Sequence, residues 1–481
     1  MAITEESFES YKEFHEHYML NHNGTSLLES AVFISSPPTA LLLWSVVVPA
    51  IRSSFANGFD SVGLFIVEFL VLVLPLVFTS TIFSDFTLLV SAASLMTWAI
   101  LVKRNIGSNL RNKSSVSWLE ILVPGTHRPF ISLFRSYTNV ITSLCILAVD
   151  FRVFPRKFAK TEVSGYGLMD TGTGLFVVAG ALVSHKPSNA EGTITLARVI
   201  KSTSPFIVLG SIRYFCVLLL NYQTHVSEYG THWNFFLTLA VIRVLGFVLT
   251  SVLGSRSSWR AGALFVFLAA LHEWVLTSLG LREWVISDLS HRRSFVSANR
   301  EGLVSLLGYL ALHFAGEVIG RRTWDVPRGN ARRWLHLWLE LSSASLVAWG
   351  ATHFLHGVTG VSRRVADLGY ICWILAYSLT SLALFLGAEL TISALRRCGS
   401  AGRVGDSPKT EEVVPVLLQA VNQNGLAYFL LGNLFTGIVN LSVRTLHVRT
   451  GPSVIILTLY MLILCAVANI LYVKKIKLKV W

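Results

Sequence analysis

Apolar residues along this chain gather into thirteen stretches of about 20 residues, the length an α-helix needs to cross the hydrocarbon core of a bilayer. They fall near 31–51, 62–82, 86–102, 131–150, 164–184, 203–220, 232–252, 261–279, 302–320, 333–354, 365–388, 424–443 and 452–472. The longest connections, near 103–130, 185–202, 280–301 and 389–415, leave no room for a large soluble domain, and no internal repeat or low-complexity tract interrupts them. The pattern predicts an all-α polytopic membrane bundle of about thirteen helices over 31–472, between a polar tail (1–30) and a short basic tail (473–481). The first 30 residues carry no basic stretch ahead of the apolar run, so no cleaved signal peptide is expected and the first span serves as the signal.

Composition strengthens this reading. Apolar residues make up 53% of the chain and charged residues 14%, against about a quarter charged in soluble domains. A net charge of +13 does not describe a nucleic-acid surface, because the cations sit in connections between spans. Thirteen spans put the termini on opposite sides. With the C-terminus cytosolic, cytosolic segments hold roughly twice the Lys and Arg of the other side, as the positive-inside bias expects. The N-terminus and the 151–163 connection are then lumenal. That connection, with Arg152, Arg156, Lys157 and Lys160, is basic on the wrong side, which points either to a headgroup-binding loop or to a site for an anionic substrate.

Three patches concentrate chemistry. Asp150 ends the fourth apolar run, and Lys160 follows ten residues later, past Pro155. A carboxylate and an ammonium at the mouth of a membrane helix are costly, so they call for a function. His225, Glu228, Tyr229, His232, Trp233 and Asn234 crowd one helix entrance on the same side, more than an interfacial aromatic belt requires. This set suits a polyol better than a metal ion. Asn422, Asn424, Asn433 and Asn440 put amides along an apolar helix, where they serve either sugar hydroxyls or interhelical bonding.

Glu68, Arg135, Arg213, Arg243, His272, His313 and Glu317 also lie within apolar runs and must face the bundle interior or a wet cavity. The five cysteines have neither CxxC nor metal-ligand spacing and read as small core residues. Lys477 and Lys479, fifth and third from the C-terminus, have the spacing of an endoplasmic-reticulum retrieval signal, or of a plain stop-transfer flank. The Asn23-Gly-Thr25 sequon lies on the lumenal side.

Taken together, Ala148-Val-Asp150-Phe, Phe154-Pro-Arg-Lys-Phe-Ala-Lys160-Thr-Glu, Gly167-Leu-Met-Asp170-Thr-Gly-Thr-Gly, Glu228-Tyr-Gly-Thr-His-Trp-Asn and Asn424-Gly-Leu through Asn433 to Asn440 resemble the inositol acyltransferases of glycosylphosphatidylinositol (GPI) anchor synthesis, the PIG-W family. Asn23-Gly-Thr-Ser-Leu-Leu-Glu29 and the basic loop leading to Pro129 and Arg135 fit the same pattern. The resemblance implies a multi-pass enzyme of the endoplasmic-reticulum membrane. It would move a fatty acyl chain, usually palmitoyl, from acyl-CoA to the inositol 2-hydroxyl of glucosaminyl-phosphatidylinositol, with acyl-CoA as co-substrate and no resident cofactor or metal. It also implies catalytic roles for Asp150 and Lys160.

No Ser/His/Asp elbow or reactive cysteine setting is present, so direct attack is expected, with Asp150 as general base and Lys160 at the oxyanion or the substrate. Arg135, Arg152, Arg156, Lys157, Asp170, His225, Glu228, Tyr229, His232, Trp233, Asn234 and Asn433 are expected to bind substrate. Two competing readings are a carrier of a lipid or organic anion, which would be expected to have an internal repeat, and a membrane O-acyltransferase built on His272 or His313.

Overall fold

The computed structural model describes residues 11–20, 22–54, 60–110, 128–184, 196–220, 227–253, 257–287, 292–327, 330–400 and 413–478. Among these the architecture is all-α, and the only extended pairing is one antiparallel bridge between Thr25 and Tyr166. A short helix α1 (Tyr11–Tyr18) precedes α2 (Leu27–Phe33), α3 (Ser36–Ser54), α4 (Ser61–Leu72), α5 (Leu74–Thr79) and α6 (Thr87–Leu110). Next come α7 (Pro129–Ala148), α8 (Thr171–Ala181), α9 (Leu196–Leu220), α10 (Phe235–Val252) and α11 (Ser258–Ser278). Three short helices, α12 (Leu281–Ile286), α13 (Phe295–Ala298) and α14 (Arg300–Val304), lead into α15 (Leu306–Trp324), α16 (Ala331–Val358) and α17 (Leu368–Ser400). The chain closes with α18 (Val416–Gln423), α19 (Gly425–Ser442) and α20 (Thr450–Val473).

Every apolar window falls on a helix. Ten segments of the described residues are long and apolar enough to cross a membrane: α2 with α3, α4 with α5, α6, α7, α10, α11, α14 with α15, α17, α19 and α20. The other three windows are α8, which is short, and α9 and α16, which carry more polar side chains. Some windows are split. Pro75 lacks the N–H that would continue α4, so a new helix starts at Leu74. Four short helices were not visible as apolar windows: α1, α12, α13 and α18.

Helix ends explain several intramembrane polar groups. Glu68 of α4 accepts from the Val416 and Leu417 N–H groups at 3.1 and 2.7 Å, satisfying the open N-terminus of α18, and from Trp44 Nε1 at 3.1 Å. Glu389 of α17 does the same for Phe130 at the start of α7 (3.1 Å). These carboxylates answer orphan helix donors that lipid could not solvate.

The most enclosed membrane-scale helices are α7 and α17, and α7 packs against α8, α17, α18, α19 and α20. Two faces of the bundle follow from the contacts between connections. On one, Glu162 N–H bonds His22 O, Gly165 N–H bonds Val361 O and Thr231 N–H bonds Ala298 O. Tyr11 in the N-terminal segment meets Leu446 between α19 and α20 on this face. On the other, Arg128 reaches Trp324 O and Val326 O, Trp324 reaches Leu182 O, and Asn424 holds Ile476 O and Leu478 N–H. Tyr11, near the start of the described chain, and Ile476 and Leu478, near its end, therefore belong to different sets of connections.

Candidate active site: two cavities sharing an aromatic wall

The first face holds a cavity of about 600 Å³, walled by α7, α8, α9, α17 and α19. Asp150, Lys160, Glu228, Tyr229 and Asn433, all named from the sequence, line it, together with Arg213 and Arg363. Most of the remaining wall is apolar, including Ile141, Leu175, Phe385 and Leu434. Acid and amine thus converge on one hollow but do not touch. Asp150, 7% exposed, sits just past the end of α7. Its Oδ2 accepts from Asn440 Nδ2 at 2.7 Å, and its Oδ1 lies 3.3 Å from His15 Nε2.

Lys160 donates to Glu228 Oε1 at 2.5 Å, and about a third of its side chain (33%) is open. Burial pushes its ammonium below the ordinary lysine range; Glu228 opposes that shift, and Arg363 and Arg213 add to it.

Asp170 is fully enclosed and structural. It accepts from Thr161 N–H (3.0 Å), Thr161 Oγ1 (2.9 Å), Gly167 N–H (3.1 Å) and Arg363 Nε (2.7 Å). These bonds fold the loop that carries Lys160 onto the start of α8 and hold Arg363 beside the cavity. Tyr229 shares a 2.6 Å hydrogen bond with Thr173 on that helix. Asn234 is the N-cap of α10, accepting from Phe236 and Leu237 N–H while donating to Gly210 O of α9 at 2.9 Å.

Other residues expected at the substrate are engaged elsewhere. Arg156 donates to Val149 O, Phe151 O and Phe154 O and lies over the Tyr18 ring. Arg152 lies over Phe14, and Lys157 pairs with Glu29 (2.9 Å) and Asp85 (2.5 Å). None of these three lines either cavity described here. His232 sits between the Tyr214 and Phe295 rings. Trp233 donates to Thr238, and both backbone N–H groups at 232 and 233 bind Asn299. Asn433 donates to Phe429 O one turn back. His225 lies outside the described residues. His272 binds Val365 O at 2.9 Å and lines neither cavity.

Arg135 belongs to the larger cavity, of about 1070 Å³, on the opposite face. Arg243, His313, Gln419, Asn422, Gln423 and Lys477 line it as well. Neither the Arg135 nor the Arg243 guanidinium has a hydrogen-bond or ion-pair partner among the described residues. Phe176, Phe235, Phe236 and Phe429 line both cavities, and they pack as one aromatic cluster with centroids 5.4–5.9 Å apart. The two hollows are therefore back to back across a wall of rings.

Sequence reasoning did not single out Arg363 or His15 as site residues, and it named Asn440 as an amide for sugar hydroxyls or interhelical bonding without pairing it with Asp150. Arg363 carried a usable signal, since Arg363 and Arg364 are adjacent cations in a connection predicted to be lumenal. His15, in a polar tail, carried none.

The fold is an all-α membrane bundle with an acid and an amine on one mostly apolar cavity, and with cations unpartnered among the described residues on a second. The chain belongs to the GWT1 family, whose model matches residues 11–471. The cattle protein named glucosaminyl-phosphatidylinositol-acyltransferase PIGW is 30% identical over 98% of this chain and 100% of its own length. The human protein of the same name is 31% identical over 98% and 100%. The GPI-anchored wall transfer protein 1 of Aspergillus oryzae is 33% identical over 98% and 99%.

Proposed function

We propose that this chain is an acyl-CoA-dependent inositol acyltransferase of GPI-anchor assembly in the endoplasmic-reticulum membrane. It transfers a fatty acyl chain, palmitoyl or similar, to the inositol 2-hydroxyl of glucosaminyl-phosphatidylinositol. The relatives' names and their near end-to-end similarity support the reaction class. The observation that carries the site assignment is that Asp150 and Lys160 line one cavity while each is held by a different partner.

Asp150 accepts the 2-hydroxyl proton as the inositol oxygen attacks the thioester carbonyl carbon. Lys160 donates to the oxygen that gains charge. The carbon–sulfur bond breaks, the CoA thiolate leaves and is protonated, and the ester remains on inositol. Arg363 and Arg213 balance the acceptor's phosphate at the cavity wall. Asn433, Tyr229 and Glu228 supply hydrogen-bonding groups for a polyol. No resident cofactor is required.

The Asp150 face is read as lumenal and the opposite face as cytosolic. Acyl-CoA then binds from the cytosolic cavity, with its phosphates near Arg135, Arg243 and Lys477 and its thioester directed past Phe176, Phe235, Phe236 and Phe429. By this route a cytosolic donor reaches a lumen-facing acceptor. Opposed cavities across an aromatic wall are also what an alternating-access carrier would present. Chemistry separates the two readings, since a carrier leaves acyl-CoA intact.

The test is purified protein given palmitoyl-CoA and glucosaminyl-phosphatidylinositol, followed by mass spectrometry of the lipid. Acylated product from the parent and none from Asp150→Asn supports the reading. Most of the activity surviving in Asp150→Asn overturns the base assignment, and no product from the parent overturns the function.

A further inference from the structure

We infer that His15, on the N-terminal helix α1, is a positioning residue for acyl transfer: it holds the Asp150 carboxylate in the orientation that meets the acceptor hydroxyl. This rests on the reading above in which Asp150 takes that proton. His15 is 5% exposed, and its Nε2 lies 3.3 Å from Asp150 Oδ1. Asn440 approaches the other carboxylate oxygen at 2.7 Å. Each oxygen thus has one protein donor and keeps a lone pair for substrate. Asp150 lines the cavity and His15 does not, so the ring stands behind the carboxylate rather than at the reacting atoms.

The ring has one short polar contact among the described residues. His15 Nδ1 is buried with no hydrogen-bond partner among them, so Nε2 is the atom through which the imidazole acts on Asp150.

Helix α1 does not depend on this contact to dock. The Tyr11 hydroxyl accepts from Leu446 N–H at 3.2 Å, and the Tyr11 and Phe14 rings lie against His447 at 5.7 and 6.1 Å. Arg152 covers Phe14, and Arg156 covers Tyr18 and reaches Met19 Sδ at 3.4 Å. Two of the cations that looked anomalous on their side of the membrane thereby clamp the segment that delivers His15. Docking rests on these groups, and the imidazole is left to act on Asp150.

The experiment uses the full chain, with kcat and the acceptor KM measured for the parent, Asp150→Asn, His15→Ala and His15→Gln. His15→Ala should lower kcat about 10–100-fold, the scale seen when an outer-shell partner that orients a metal-ligating side chain is lost, with the acceptor KM and the thermal midpoint unchanged. Glutamine carries its amide nitrogen at the ε position, so His15→Gln should recover most of the loss. A parental kcat in His15→Ala, or a His15→Gln as impaired as His15→Ala, overturns the inference while the functional reading stands, provided Asp150→Asn is inactive. An active Asp150→Asn overturns the base assignment, and the role of His15 with it.

Discussion

Lys160 donates to Glu228 at 2.5 Å, from a residue 68 positions away, and not to Asp150, with which it shares a cavity. Had the amine and the acid paired with each other, each would have satisfied the other and neither would be available to a substrate. Separate partners keep both aimed at the same space: Asn440 and His15 for the acid, Glu228 for the amine. A base and an oxyanion donor must act on opposite ends of one forming bond, and this arrangement permits it.

Asp150→Asn keeps the size and shape of the side chain but removes the proton acceptor. Acyl transfer should fall by about 10²–10⁴-fold, with the unfolding midpoint near that of the parent. The paired readout is product formation and thermal unfolding in detergent. A folded variant with most of its activity would exclude Asp150 as the base.

Burial holds the Lys160 ammonium below its ordinary range, and Glu228 works against that. If the charged amine is the active form, the rate is full below its pKa and falls as pH rises through it. The alkaline limb of the pH–rate profile should therefore begin below the usual lysine range. Glu228→Gln removes the opposing charge and should move the limb lower still, whereas Lys160→Arg should move it higher. Limbs that coincide in all three proteins would remove Lys160 from the rate-determining chemistry.

Arg363 and Asp170 form a buried pair at 2.7 Å. Removing one partner leaves the other charge uncompensated, at a cost of about 3–5 kcal/mol. Asp170→Asn and Arg363→Met should each depress thermal stability sharply, and the double variant should recover part of the loss. Additive losses in the double variant would contradict a direct pair.

Arg135 faces the opposite cavity with no protein partner among the described residues. If it receives a donor phosphate, Arg135→Ala should raise the KM for acyl-CoA about 10–100-fold, the worth of a charge-assisted hydrogen bond, and leave the acceptor KM unchanged. Steady-state kinetics with each substrate varied in turn decides it. A shift in the acceptor KM instead would reverse the roles of the two cavities.

Gly165 has φ +140°, and a Cβ there would lie 2.2 Å from Asn23 O. Gly165→Val should strain the contact that joins the N-terminal segment to the Lys160 loop. The expected cost is about 1–3 kcal/mol, read as a lower unfolding midpoint and faster proteolysis ahead of Leu27. An unchanged midpoint would mean the segment is held by other contacts alone.

The sequence alone determined the class of fold, the thirteen helical windows and the pair Asp150 and Lys160. Runs of about 20 apolar residues admit one solution in lipid, and an ionisable group at their edge stands out because it is costly there. Short amphipathic pieces such as α1 and α18 escaped, since eight residues carry too little periodic signal to separate from a loop. Only the tertiary structure decided which polar groups meet. Asn440 reaches Asp150 across 290 residues and Arg363 reaches Asp170 across 193, while Arg152, Arg156 and Lys157, adjacent to the site in sequence, turn away to other partners. Hydrophobic patterning records how each helix faces lipid; the partner of a charged side chain depends on which helices lie beside it, and no local stretch of sequence contains that.

Asp150 and Lys160 share one mostly apolar hollow only because the bundle brings them to it. Local sequence supplied the costly groups, and helix packing chose their neighbours, because Coulomb and hydrogen-bond energies act over ångströms in space and not over positions along a chain.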